Sequence, residues 1–353
     1  MSKLPIWPSA MCCYDNKIWF FHGILNAFFE YSFEEDNLTY LGSIPNSIMV
    51  GKYPYYCSVI PNGDNIYMVP FYGDSVTKYD CKNNTIEKIT GTIINDYSIE
   101  KYSAGFIIED FLYCVPYNPN LDLIRINLQN DEKDIFPIFR QAVNEHNAKY
   151  IDKVVIKDNK IIGIVGGTSK LFSYDIKNNK VNIIQIPVLK NKNVDSCSLV
   201  SDDLFVHLED EDEILKINID NNNLKIIDKY KITNRHSLLV SGTGNYIFLD
   251  STNNASHEII KNGKSKYIEE NNKKNISFLD SQTFVGTASS MENYIFYFDR
   301  YNNEILELNS KKIKKPYIKT NDEETIKMKI VSDKNVVLIE SNGFSLGDFI
   351  KYL

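Results

Sequence analysis

The stretch Tyr56-Cys57-Ser58-Val59-Ile60-Pro61-Asn62-Gly63-Asp64-Asn65-Ile66-Tyr67-Met68-Val69-Pro70 decides the fold. Two runs rich in β-branched, aromatic and apolar residues flank a turn of Pro, Asn, Gly and Asp, residue types that fix or permit the backbone angles of a tight reversal. Downstream, residues 75–80 read as a further strand, Asp80-Cys81-Lys82-Asn83-Asn84 as a polar turn and residues 85–89 as another strand. The unit is a meander of four strands: a (56–60), b (66–70), c (75–80) and d (85–89).

The unit recurs along the chain. A polar turn with Asp or Asn leads into a β-rich run eight times, and the first aliphatic residues of those runs are Ile18, Ile66, Leu112, Ile161, Leu204, Ile247, Ile295 and Val336. Their spacings are 48, 46, 49, 43, 43, 48 and 41 residues. A period in the forties containing only strand patterns marks a propeller blade, because helical repeats of that length show a 3.6-residue period. The c-to-d turn returns as Asp175-Ile176-Lys177-Asn178-Asn179-Lys180 and Asp220-Asn221-Asn222-Asn223. Ile161-Ile162-Gly163-Ile164-Val165 is apolar on both faces, as an inner strand covered by a neighbour on each side requires.

In the last unit, residues 328–330, 336–340 and 348–353 read as a, b and c with no d, while Leu4 to Trp7 precede the first strand a. The expectation is an all-β fold, a single β-propeller domain over residues 1–353 with about eight four-stranded blades, closed by the N-terminal segment that completes the last blade. Seven blades is the alternative; the ambiguous unit spans 271–290, where 276–280 and 284–288 compete for strand a. Connections between units are long, and Gln141 to His146 within the one at 137–150 reads as a helical turn.

Composition narrows the function. Of 353 residues, 39 are Lys or Arg and 46 Asp or Glu, and the net charge of -7 argues against nucleic acid or an anionic membrane as a partner of the whole surface. No run approaches the ~20 apolar residues that span a bilayer, and Pro5 and Pro8 interrupt the N-terminus, so neither a membrane span nor a signal peptide is expected. Cys12, Cys13, Cys57, Cys81, Cys114 and Cys197 show no Cys-x-x-Cys spacing and are read as free thiols of a cytoplasmic protein. Enrichment in Lys, Asn and Ile points to a low-GC bacterial source.

The sequences Val76-Thr77-Lys78-Tyr79-Asp80 and Leu171-Phe172-Ser173-Tyr174-Asp175-Ile176-Lys177-Asn178-Asn179 resemble kelch-like or related bacterial repeats of the β-propeller superfamily. The resemblance spans essentially the whole chain. No Trp-Asp dipeptide follows a c strand, the double glycine of kelch blades occurs once, at Gly166-Gly167, and no sialidase-type Ser-x-Asp-x-Gly-x-Thr box is present. No functional residue therefore carries over from a subfamily.

In a propeller the d-to-a and b-to-c loops share one face around the central channel, so distant residues converge there. The d-to-a ends supply Tyr53, Tyr55, Tyr56, Lys101, Tyr102, His146, Lys149, Tyr150, Arg235 and His236; the b-to-c turns supply His22, Phe71, Tyr72, Tyr117, Glu209, Asp210 and Arg300. From these the candidate ligand-binding set is His22, Tyr55, Tyr56, Tyr72, Tyr102, Tyr117, Lys149, Tyr150, Arg235, His236 and Arg300. Tyr and Arg join apolar area to directed hydrogen bonds and suit a peptide, a glycan or an anionic small molecule. Against this, Tyr occurs 23 times, and most tyrosines are expected to pack between blades.

Catalytic and metal motifs are weak. The acidic run Glu209-Asp210-Glu211-Asp212-Glu213 lacks the glycine and spacing of a calcium loop, and the five histidines show no zinc spacing. Gly242-Thr243-Gly244 reads as an a-to-b turn and not as a dinucleotide loop. The expected function is a non-catalytic binding or scaffold propeller, without cofactor or metal, that recognises a partner protein or peptide through its loop face. The alternative is a carbohydrate-binding or sugar-modifying propeller acting at the channel mouth.

Overall fold

The computed structural model describes residues 8–314 except 23–25, 33, 36, 47–54, 95, 97–98, 169, 187–188, 190–191, 193, 201–202, 209–212, 219–224, 232–235, 243–245, 252–255, 262–263, 270–287, 292–293, 300–303 and 309–312, together with Lys329 and Asp333. Among these residues the chain forms seven four-stranded antiparallel sheets, each a meander in chain order.

The first holds β1 (Pro8–Tyr14), β2 (Lys17–His22), β3 (Phe28–Ser32) and β4 (Asn37–Gly42). The second holds β5 (Tyr56–Asn62), β6 (Asn65–Pro70), β7 (Thr77–Asp80) and β8 (Thr85–Lys88); the third, β9 (Tyr102–Ile108), β10 (Phe111–Pro116), β11 (Leu123–Asn127) and β12 (Lys133–Phe136). Helix α1 (Pro137–Asn144) precedes the fourth, β13 (Tyr150–Lys157), β14 (Lys160–Gly166), β15 (Lys170–Asp175) and β16 (Lys180–Gln185). The fifth comprises β17 (Val194–Val200), β18 (Asp203–Leu208), β19 (Glu213–Asn218) and β20 (Lys225–Lys231); the sixth, β21 (His236–Gly242), β22 (Tyr246–Ser251), β23 (Ser256–Lys261) and β24 (Lys264–Glu269). The seventh comprises β25 (Ala288–Met291), β26 (Tyr294–Asp299), β27 (Glu304–Leu308) and β28 (Ile313–Lys314). The first strand of each sheet neighbours that of the next, and β25 neighbours β1.

The two-sided apolar pattern of the b strands has a direct cause. Alternate side chains of a strand point to opposite faces, and here each face meets a different sheet. In β6, Ile66 and Met68 pack with Trp19 and Phe21 of the first sheet, whereas Tyr67 and Val69 pack with Leu112 and Cys114 of the third. Tyr113 and Val115 of β10 then join Ile161 and Val165 of β14, and Ile162 and Ile164 join Leu204 and Leu215 of the fifth sheet. All these side chains are buried, each contributing roughly 1.5–3 kcal/mol of apolar transfer. Among the described side chains, which belong to the first five sheets, the core is thus a series of layers between sheets.

The c-to-d turns explain the repeated Tyr-Asp-x-Lys-Asn-Asn sequence. Tyr79 Oη donates to Asn84 Oδ1 at 2.8 Å, and Tyr174 Oη to Asn179 Oδ1 at 3.0 Å. The Asp80 carboxylate accepts from the Asn83 backbone and side-chain amides, and Asp175 does the same with Asn178. These bonds hold both exposed carboxyls below the usual carboxylate range. Asn84 and Asn179 close the turns at φ 53° and 47°, which Asn tolerates better than most residues. The third copy, Asp220 to Asn223, lies outside the described residues.

The expected helical turn is present but shifted: α1 starts four residues earlier, at Pro137, where a missing N–H in the first turn costs nothing, and it ends at Asn144, so Glu145 and His146 lie beyond it. Phe139 and Val143 bury its apolar face, with the Phe139 ring edge-on to Phe172 at 5.0 Å. In the ambiguous unit, strand a is β25, starting at the last residue of the second candidate run. The eighth unit, like Leu4 to Trp7, lies outside the described residues save two. At one of these, Lys329, the structure departs from the expected strand: the residue is helical, and its carbonyl accepts the Asp333 N–H at 3.1 Å. Asp333 Oδ2 accepts from Tyr40 Oη at 2.7 Å and Ser43 Oγ at 2.8 Å, tying this segment to the outer edge of the first sheet. Cys12, Cys57, Cys81, Cys114 and Cys197 are free thiols.

Candidate functional site

The b-to-c and d-to-a connections meet at one end of the sheets, stitched by a run of backbone hydrogen bonds. Phe71 N–H donates to Tyr55 C=O (2.9 Å), Lys101 N–H to Phe71 C=O (2.7 Å), Tyr117 N–H to Lys101 C=O (2.8 Å) and Ile151 N–H to Tyr117 C=O (2.8 Å). The bonds alternate within and between sheets two, three and four. Each b-strand end is thereby fixed to the start of the next sheet, which converts neighbouring loops into one continuous surface.

Buried polar pairs brace it from below. Asp74, 3 % exposed, accepts from Lys88 Nζ at 2.6 Å and from Ser75 Oγ at 2.9 Å, while Lys88 Nζ also donates to Asn46 C=O at 2.9 Å. Lys101 is fully buried and donates to the carbonyls of Asp96 (2.7 Å) and Tyr72 (3.3 Å). Its desolvation lowers its pKa despite nearby Asp96, Asp74 and Glu100. Tyr72 Oη donates to Glu100, and burial followed by this carboxylate raises the phenol above its ordinary range.

Above the stitching lies an aromatic strip. The half-buried rings of Tyr72 and Tyr117 both meet Phe71 edge-on, at 5.1 and 5.0 Å. Tyr117 stacks on Tyr150, centroids 5.4 Å apart and planes 8° from parallel. The strip thus crosses three sheets. Gly166-Gly167 explains its far end: a Cβ on Gly166 would stand 2.2 Å from the Tyr150 ring, and one on Gly167 2.8 Å from Lys149 Cδ. Both side chains therefore lie directly on glycine backbone. Beyond them, Lys170 Nζ sits 3.2 Å from His146 Nδ1.

The structure divides the sequence-derived set. Tyr72, Tyr117, Lys149 and Tyr150 come together at this end. His22, Tyr55, Tyr56 and Tyr102 are closed to solvent, at 3 % exposure or less. Tyr55 and Tyr56 pack on Phe21, at 6.0 and 4.7 Å, and Tyr56 Oη meets Thr77 Oγ1 at 2.9 Å; His22 lies against Phe29. The three tyrosines pack in the core, as the abundance of tyrosine warned, and His22 is buried as well. His236 begins β21; Arg235, Arg300, Tyr53, Glu209 and Asp210 lie outside the described residues. Lys170 joins the site unforeseen, its signal being the lone double glycine four residues before it, legible only as a repeat mark.

At the opposite end, a cleft of about 470 Å³ between sheets one and two is lined by Tyr14, Lys17, Trp19, Glu30, Tyr79 and Cys81 among others. Several of its polar groups have partners: Lys17 pairs with Glu30 at 3.0 Å, Asp64 with Lys82 outside the cleft lining at 2.5 Å, and Tyr14 Oη donates to Gly63 C=O at 3.1 Å.

No protein-family model and no curated protein matches the chain. Solved structures do. A streptogramin B lyase aligns with TM-score 0.57 at 10% identity, over 89% of this chain and 94% of that one. A chain of the mitotic checkpoint complex aligns with TM-score 0.57 at 9% identity, over 90% and 94%. A putative 6-phosphogluconolactonase from Bacteroides fragilis aligns with TM-score 0.53 at 12% identity, over 74% and 83%. At such identities the likeness shows the fold alone: the chain is a β-propeller. Nothing in these neighbours singles out a kelch-type repeat.

Proposed function

We propose that this β-propeller is a non-catalytic binding scaffold that holds a partner protein or peptide on the end built by its b-to-c and d-to-a connections. The observation that carries this reading is the aromatic strip Tyr72–Phe71–Tyr117–Tyr150 on a rigid backbone lattice. Aromatic side chains held in place by their surroundings give large contact area at small entropic cost, the property of interface hot spots. Among the described residues, three carboxylates of this end have cationic or phenolic partners, Asp74 with Lys88, Glu100 with Tyr72 and Asp122 with Arg140. The neighbouring structures include both a lyase and a chain of a multiprotein complex, and one fold serves both kinds of task.

The adjacency of β25 and β1 supports a closed ring of seven blades, with the Asp333 carboxylate bonded to Tyr40 and Ser43 at the outer edge of the first sheet. The partner reading is tested by cross-linking the tagged protein in its native cells, in wild-type form and as Phe71→Ala/Tyr117→Ala. Recovery of one stoichiometric protein, cross-linked at this end and lost in the variant, is the expected result. Equal recovery with both forms, or turnover of a saccharide by the purified wild type, would sink it.

A further inference from the structure

We propose that the tip of the β14–β15 hairpin is an oxyanion site, which reads a phosphate or carboxylate group on the ligand held by the neighbouring aromatic strip; the inference rests on that end being the binding face. The hairpin turns at Gly166-Gly167, with Gly167 at φ +76°. The glycines create the seat: Lys149 lies across Gly167 with its Cδ where a Cβ would collide, and its backbone N–H is fixed to Gly166 C=O at 3.0 Å. Lys170 follows the turn as the first residue of β15, paired in register with Val165. His146, just beyond the end of α1, reaches the same hairpin through its 3.2 Å contact with Lys170 Nζ.

An ammonium has no lone pair, so that contact runs from Nζ–H to Nδ1, and the imidazole proton sits on Nε2 as a further donor. Lys149 and Lys170 thus flank one hairpin turn, Lys149 with its stem on Gly167 and Lys170 with the imidazole beside its ammonium. Among the described residues neither Lys149 nor Lys170 meets a carboxylate, in contrast to Lys17, Lys78, Lys82, Lys88, Lys216 and Lys229, which all do. An ammonium without a carboxylate partner can take an anion supplied from outside through charge-assisted hydrogen bonds. The stacked Tyr117–Tyr150 pair reaches the same hairpin, where Tyr150 lies on Gly166 next to the Gly167 seat of Lys149. The ligand class that fits is an oxyanion carried beside an apolar or aromatic group.

The test is calorimetric titration of the full chain with phenyl phosphate, benzoate and inorganic phosphate, each at two ionic strengths. Phenyl phosphate or benzoate should bind saturably and weaken with salt, and Lys149→Gln/Lys170→Gln should weaken binding about tenfold or more with the circular dichroism spectrum unchanged. Tighter phenyl phosphate assigns the group as phosphate; tighter benzoate, as carboxylate. Absence of saturable binding by all three probes, or full affinity in the lysine variant, overturns the site. In the cross-linking experiment, partner loss in Phe71→Ala/Tyr117→Ala with undiminished capture by the lysine variant would leave the binding face standing and remove the oxyanion site. Undiminished capture by both would remove both.

Discussion

Tyr150 lies between two flat surfaces, the ring of Tyr117, whose centroid is 5.4 Å away, and the backbone of Gly166, where an added Cβ would fall 2.2 Å from the Tyr150 ring. The close approach makes Gly166 irreplaceable for a geometric reason that does not involve its φ. In Gly166→Ala the ring must leave the backbone, and the stack with Tyr117 opens. Overpacking of this kind costs about 1–3 kcal/mol, and the near-ultraviolet circular dichroism of the tyrosines should fall. A variant with wild-type stability and an unaltered spectrum would show that the ring does not sit there.

Asp74 and Lys88 are the best-shielded ion pair of the site, with side chains 4 % and 15 % exposed. The two ends of the bond are not equivalent. Lys88→Met leaves a buried carboxylate with Ser75 as its hydrogen-bond donor, whereas Asp74→Asn leaves an ammonium that still has the Asn46 carbonyl. Removing one member of a buried pair costs about 3–5 kcal/mol, and the lysine variant should lie at the upper end. Urea denaturation of both singles and the double should show the double less destabilised than the sum. Strict additivity would mean that the two groups do not interact.

Repeat length, strand identity and inner-strand burial were legible because they depend on period, which a sequence displays directly: Ile66 and Met68 alternate with Tyr67 and Val69, and the structure sends the pairs to different neighbours. Loop-end tyrosines were harder. Tyr55 and Tyr56 stand at a d-to-a end like Tyr150, yet they face Phe21 and not solvent, and only three-dimensional packing separates the two cases. The cationic hairpin was hidden for another reason, since His146, Lys149 and Lys170 reach one hairpin around a glycine seat that leaves no charge pattern in the sequence.

Asn84 and Asn179 serve their turns twice, by accepting a tyrosine hydroxyl and by adopting positive φ. The two contributions separate by substitution. Asn84→Ala loses both, at about 1–2 kcal/mol for the left-handed backbone and about 1 kcal/mol for the bond. Asn84→Gly keeps the backbone and loses only the bond, so it should be the milder change. Thermal melts of the two variants decide the matter, and an alanine variant as stable as the glycine variant would show that the backbone conformation carries no strain.

The tyrosines fix the alkaline limit of the fold. Burial raises the pKa values of Tyr56, Tyr67, Tyr72, Tyr79 and Tyr102 above the ordinary 10.0, and pushes Tyr174 up to about 12. For a folded-state value above the unfolded one, the folded chain holds more protons between the two, so stability is intact below pH 10 and falls as pH rises through the folded values. Lys101 has the opposite sign: its folded value lies below 10.5, so it regains stability as pH climbs toward 10.5. One lysine cannot offset six phenols. Stability to urea should therefore hold up to about pH 10 and then drop steeply, with the phenolate absorbance of these six rings, beyond that of the other tyrosines, appearing together with unfolding. A graded titration of these tyrosines near pH 10, with far-ultraviolet circular dichroism unchanged, would place their rings in solvent and contradict the layered core.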